Sequence, residues 1–241
     1  MIYFIGAGPG AVDLITVRGA KILSEADRII FAGSLVNPEL VKTYAKEDCE
    51  IFDSASMTLE EISQKLIEGH KKNLVTVRLH SGDPALYGAI REQIEILEKN
   101  KIPFEIIPGV SSLFAASAAL KTEFMIPEIT QSLLISRIEG RTHAPNSNPS
   151  VVLFLSSGMI KKACDELISK NYSPKTSAAL VYKASWPDEK IVIGTLENLP
   201  ALAEEAGINK TALILVGDFL DKDIQTKSKL YDKNFSHGFR K

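Results

Sequence analysis

Five short apolar runs in the first half of the chain, at residues 2–5, 28–32, 50–52, 74–79 and 104–107, are each followed by turn or capping residues and then by a segment of helical period. Runs this short suit strands, and an intervening helix supplies the crossover that parallel pairing needs. The alternation therefore predicts an α/β fold with a mostly parallel sheet. Local signals agree. Asp13 or Thr16 can cap a helix through about Glu25, with Ile15, Ile22 and Leu23 facing the core. A helix is expected near residues 37–45. Thr58 and Glu61 fit a capping box ahead of Leu59, Ile62, Leu66 and Ile67. Another helix is expected to begin near Tyr87, with Ile90, Ile94 and Leu97 inward, and Ser111 can cap an alanine-rich helix through about Leu120.

The pattern changes near Pro127. Strands are expected at 131–138, 151–155, 178–181, 190–193 and 211–216, with helices at 159–170 and 196–205. Two of these strands follow one another without a helix between them, so the second half should hold a mixed sheet. The expected division is an N-terminal α/β domain at 1–123, a C-terminal α/β domain at 124–220 and a tail at 221–241. The tail lacks apolar periodicity, although Tyr231, Phe235 and Phe239 could dock it on the surface.

Open α/β sheets bind ligands at the carboxyl ends of their strands, which directs attention to residues 75–88, VTVRLHSGDPALYG. There a buried strand runs into Ser81-Gly82-Asp83-Pro84. Read alone, this stretch is a strand-to-helix turn with Asp83 as cap, or one wall of a ligand site with His80 as a base. Gly6-Ala7-Gly8-Pro9-Gly10 follows the first strand and invites a dinucleotide reading. However, no acidic residue ends the second strand, and Pro9 removes an amide donor that pyrophosphate would use. Tyr182-Lys183-Ala184-Ser185-Trp186-Pro187 is either an aromatic platform for a flat ligand or a structural corner. The 241 residues carry a formal net charge of −2, which excludes a general electrostatic grip on nucleic acid or anionic membrane. No run approaches the ~18 apolar residues of a membrane span, and the N-terminus has no basic signal region. Cys49 and Cys164 read as reduced cytoplasmic thiols, and no His/Cys/carboxylate spacing suggests a metal.

Taken in order, GAGPG, RLHSGDPALYGAIREQ, IPGVSS, QSLLISRIEGRT, LFLSS, VYKASWPDEK and KLYDKNFSHGFR resemble the tetrapyrrole methyltransferases over nearly the whole chain. Within that family they are most similar to the branch acting on C11 of precorrin-4 or its cobalt form. The resemblance implies a two-domain α/β enzyme with S-adenosylmethionine bound in the interdomain cleft. Carried over by motif, the cofactor positions are Pro9, Ser81, Gly82, Asp83, Leu86, Ser111, Ser112, Leu155, Ala184, Thr211 and Ala212. A carboxylate-rich tetrapyrrole substrate would need cations, for which Arg18, Arg91, Arg137, Arg141 and Lys183 are candidates. Asp83 and His80 are the candidates for catalysis. The resemblance implies about a dozen residues, with a short helix, between EGRT and LFLSS, whereas here Thr142 leads almost directly to Val151, so this chain has either a shorter cover there or a missing segment after Thr142. The lack of a signal region or membrane span leads to the expectation of a cytoplasmic protein, and the apolar surface of the alanine-rich helix at 111–120 and of the docked tail, together with the resemblance, to that of a homodimer. The alternatives are a related enzyme acting on uroporphyrinogen III or another precorrin carbon, a nicotinamide-dependent oxidoreductase, and a non-catalytic tetrapyrrole carrier.

Overall fold

A computed structural model describes residues 1–138 and 149–221. The chain divides into two compact units. The first is Met1–Ala115 together with Lys183–Glu189; the second is Ala116–Tyr182 together with the described residues from Lys190 onward.

The first unit holds a five-stranded, all-parallel sheet in the order β3-β2-β4-β1-β5. Its strands are β1 (Ile2–Gly6), β2 (Arg28–Phe31), β3 (Glu50–Asp53), β4 (Thr76–His80) and β5 (Phe104–Ile107). Helices α1 (Val17–Glu25), α2 (Pro38–Tyr44), α3 (Leu59–Lys71) and α4 (Arg91–Lys99) supply the crossovers, and α5 (Ser112–Leu120) follows β5. Central strands are covered on both faces, as parallel sheets require. Ile5, Ile29, Val77, Leu79 and Ile107 point to one side, where Leu23 of α1 and Leu40 and Val41 of α2 cover them. Ile2, Phe4 and Ile30 point to the other, under Ile62 and Leu66 of α3 and Leu97 of α4.

The capping box on α3 forms as expected, with reciprocal bonds between Thr58 and Glu61. Thr16 caps α1, whereas Asp13 lies in a separate 3₁₀ turn, Val12–Leu14. Ser111 accepts the Leu113 N–H at the start of α5. The helix expected to begin near Tyr87 instead begins at Arg91. Tyr87 and Ala89 adopt φ of 56° and 48°, a left-handed backbone that cannot continue a right-handed helix.

The second unit contains β6 (Leu133–Ser136), β7 (Ser150–Leu153), β8 (Ser177–Tyr182), β9 (Lys190–Thr195) and β10 (Ala212–Val216), in the order β6-β7-β10-β8-β9. β6 and β7 are parallel and the other pairs antiparallel, so the sheet is mixed. Helices α6 (Ile160–Ser169) and α7 (Leu199–Glu205) cover one face through Cys164, Leu167, Leu199 and Ala203. Several of these elements are shorter than the periodicity suggests. A 3₁₀ turn at Ser157–Met159 precedes α6, and α7 starts at Leu199, beside Pro200.

Candidate active site

Three loops meet at the carboxyl ends of the adjacent strands β4, β1 and β5. Ala7 N–H donates to the His80 carbonyl at 2.7 Å, and Gly8 and Gly82 exchange backbone bonds of 2.8 and 3.3 Å. A Cβ on Gly6 would sit 2.5 Å from both the Gly109 Cα and the Gly82 oxygen, and one on Gly109 would strike that same oxygen. Only glycine permits this backbone-on-backbone contact. Asp83 completes the junction. Its Oδ1 accepts the Ala85 N–H and its Oδ2 accepts the Gly109 N–H, each at 2.8 Å. One carboxylate thus ties the loop after β4 to the loop after β5, which carries Ser111 and Ser112.

Residues 183–189, although late in sequence, form a strap over the glycine loop. Trp186 Nε1–H donates to the Pro9 carbonyl at 2.9 Å, and Ala11 N–H donates to Ser185 Oγ at 3.0 Å. The indole lies where a side chain on Gly10 would project. Asn37 Nδ2–H holds the Gly10 carbonyl from the other side, at 2.9 Å. Within the strap, Glu189 accepts the Ser185 N–H, and Lys183 pairs with Asp188 and lies 4.9 Å from the Trp186 ring centre. This is the structural corner that the sequence left open. The buried Ala184 and the Pro9 backbone are therefore fixed with respect to each other. The glycine loop runs into a 3₁₀ turn, and α1 starts only at Val17. A dinucleotide loop would open the helix directly.

In the second unit the register Ile214↔Leu153 and Ala212↔Tyr182 brings the end of β7, the start of β10 and the end of β8 to one sheet end. Leu155 and Thr211 stand there with φ of 52° and 54°. Of the non-glycine residues with positive φ, Asn73, Lys101, Lys121 and Asn171 terminate helices, where a left-handed residue is usual. Glu128 sits in the turn closed by the Ile126–Thr130 bridge. Leu155, Lys183, Ser185, Thr211, Tyr87 and Ala89 are in neither setting. Such strain concentrates at binding sites, and these six residues lie in or next to the expected cofactor segments.

The remaining expected residues are placed less uniformly. The His80 ring is buried, 6.0 Å from the Phe4 ring centre, and its Nε2 has no hydrogen-bond partner among the described residues. Burial, with the neighbouring Arg78 charge, pushes its pKa down to about 3, so the imidazole is neutral at physiological pH. Arg18 pairs with Glu105, and Arg91 with Glu95 one turn along α4. Arg137 is exposed just past β6. Arg141, the segment after Thr142, and the tail aromatics Tyr231, Phe235 and Phe239 lie outside the described residues. Among the buried polar side chains that were given no role from sequence are Arg78 on β4 and Gln93 on α4. Each breaks an apolar pattern, Arg78 inside VTVRLH and Gln93 three residues after Ile90 on the inner face of its helix. That was the available signal.

Apart from Asp83, whose two oxygens are engaged, the expected cofactor positions are uncharged, small or apolar.

Comparison with known proteins follows the same lines. The family described as Tetrapyrrole (Corrin/Porphyrin) Methylases matches residues 1–200. A cobalt-precorrin-4 C(11)-methyltransferase of Methanocaldococcus jannaschii is 49% identical over 100% of this chain and 96% of its own length. The enzyme of the same name from Priestia megaterium is 44% identical over 100% and 97%. The X-ray structure of a cobalt precorrin-4 methyltransferase, a cobalamin biosynthetic enzyme, superposes with a TM-score of 0.85 at 43% identity. It covers 91% of this chain, which covers 95% of it.

Proposed function

Because the chain belongs to the tetrapyrrole (corrin/porphyrin) methylases, we propose that it transfers a methyl group from S-adenosylmethionine to C11 of precorrin-4 or its cobalt form during cobalamin synthesis. The full-length 49% identity to the Methanocaldococcus enzyme carries this reading. The cofactor supplies an electrophilic methyl group on a positively charged sulfur, whose departure as a neutral thioether needs no acid.

The work left to the protein is placement and exclusion of water. In this reading Pro9, Ser81, Gly82, Asp83, Leu86, Ser111, Ser112 and Ala184 of the first unit hold the cofactor, with Leu155, Thr211 and Ala212 of the second. Asp83 acts by fixing the two loops that carry Ser81, Gly82, Ser111 and Ser112. Its carboxylate is engaged by two backbone N–H groups, and the neutral His80 is packed against Phe4, so we assign positional roles to both rather than proton transfer. Arg18, Arg91, Arg137, Arg141 and Lys183 are proposed to meet the substrate carboxylates, exchanging their present partners for them where they have one.

We also propose a cytoplasmic homodimer. Exposed Phe114 and Ile106 offer apolar surface for the dimer, and the free thiols of Cys49 and Cys164 fit a reducing compartment.

The test is turnover of cobalt-precorrin-4 and metal-free precorrin-4, side by side, with methyl-¹³C-labelled S-adenosylmethionine. Label at C11 of either product is expected. Label at another ring carbon, or transfer to uroporphyrinogen III alone, would overturn the assignment.

A further inference from the structure

Arg78 and Gln93 form a buried polar connection beneath the loop that follows β4. Arg78 Nη1–H donates to the Ile30 carbonyl on β2 at 3.2 Å, and its Nε–H donates to Gln93 Oε1 at 3.3 Å. Gln93 Nε2–H then donates to the Ala89 carbonyl at 3.0 Å. The arginine and the glutamine are 7% and 4% exposed.

The cost of this arrangement shows that it is not incidental packing. Buried charges are ordinarily paired. Arg28, on the neighbouring strand and facing the same helices, is paired with Glu50 at 2.5 Å. Among the described residues no carboxylate pairs with Arg78, and burial alone lowers its pKa to about 10. The guanidinium therefore remains charged at neutral pH and relies on two neutral acceptors.

What it supports is a strained segment. Tyr87 and Ala89 are both left-handed, so the carbonyl of Ala89 falls outside the repeating bonds of α4, whose first regular bond runs from Ile94 N–H to Ile90. The amide of Gln93 takes that carbonyl instead. At its other end the same segment is held by Asp83, through Ala85 and Gly109. The stretch between these anchors contains Leu86.

We infer that Arg78 and Gln93 are positioning residues for the cofactor loop. Acting from beneath the sheet face, they hold residues 84–90 in their strained conformation through the Ala89 carbonyl. The inference rests on the methyltransferase reading for its effect on binding, but not for its effect on the loop.

Gln93→Glu separates the two. A carboxylate keeps the acceptor for Arg78 and adds a counter-charge, so the fold is retained. It also replaces the donor facing the Ala89 carbonyl with a second oxygen, which repels it. The expected results are an unchanged or raised denaturation midpoint, and at least tenfold faster amide hydrogen exchange at residues 85–90 in the unliganded protein. S-adenosylhomocysteine should bind at least tenfold more weakly, with KM for S-adenosylmethionine rising more than kcat falls. Wild-type exchange in the loop would overturn the inference, whatever the protein binds. Faster exchange with unchanged S-adenosylhomocysteine affinity would remove the link to the cofactor. Failure of the wild-type protein to bind S-adenosylhomocysteine would overturn the functional reading and leave the exchange result to decide the strut. If the glutamate variant does not fold, Gln93→Met, close in size and uncharged, is expected to show the same accelerated exchange, and wild-type exchange in it would overturn the inference.

Discussion

Replacing Asp83 by alanine tests whether the junction of the three loops depends on one carboxylate. The side chain accepts two backbone N–H groups at 2.8 Å, from Ala85 within its own loop and from Gly109 in the loop after β5. Hydrogen bonds to a charged group contribute about 1.5–3 kcal/mol each. The two do not count equally. Ala85 is exposed, so water replaces most of what it loses. Gly109 is packed against Gly6 and the Gly82 oxygen, so its N–H is rehydrated poorly. A loss of about 2–3 kcal/mol in stability follows, which for a chain of this length is roughly 4–12 °C in Tm. Freeing Gly109 also loosens Ser111 and Ser112, so S-adenosylhomocysteine should bind at least tenfold more weakly, equivalent to about 1.4 kcal/mol. Asp83→Asn keeps one acceptor but turns an NH2 toward the other N–H, and should fall between wild type and alanine. Scanning calorimetry and titration calorimetry on the three proteins measure both effects. An alanine variant within 1 °C of wild type that binds S-adenosylhomocysteine within twofold would refute the reasoning.

Trp186→Phe keeps a ring over Gly10 but removes the donor to the Pro9 carbonyl; about 1 kcal/mol should be lost from the strap, seen as weaker S-adenosylhomocysteine binding by calorimetry. An unchanged Kd would show that the bond does not set the loop. His80 has its folded pKa at about 3, below the ordinary 6.5, so between those values the unfolded chain binds the extra proton. Stability from this group is complete above about pH 6.5 and declines as pH falls toward 3, with a slope of up to ~1.4 kcal/mol per pH unit. His80→Gln should flatten that decline in urea midpoints measured from pH 7 to 4, and an equally steep decline would assign the acid sensitivity elsewhere. Thr58→Ala removes the cap from α3 and should cost about 1 kcal/mol by chemical denaturation, with no change in S-adenosylhomocysteine affinity. A change in affinity would mean that α3 is coupled to the site.

What could be read from sequence follows the range over which each signal acts. The strands of the first sheet and the Thr58–Glu61 capping box were legible because period, propensity and capping operate within a few residues. The start of α4 was misread because Ile90, Ile94 and Leu97 keep helical spacing right up to a left-handed break. Apolar spacing does not report the sign of φ. The glycines at 6, 82 and 109 were visible as turn residues, but their mutual contact depends on β1 lying between β4 and β5. The Trp186 bond to Pro9 spans 177 positions, and no local pattern encodes it. Arg78 and Gln93 were anomalies in otherwise apolar faces. Only the structure shows that the two anomalies meet.

The strap has a consequence for how the chain is made. All five strands of the first sheet have been synthesised by residue 107, but the segment that covers the glycine loop begins only at Lys183. At ~5–20 residues per second, that interval is roughly 4–15 s of translation. During it Gly10 lacks its indole cover, and the Pro9 carbonyl and Ala11 amide lack their partners. The N-terminal half thus emerges first and is completed last, so a nascent chain halted before Lys183 would carry a formed sheet with an unfinished ligand loop.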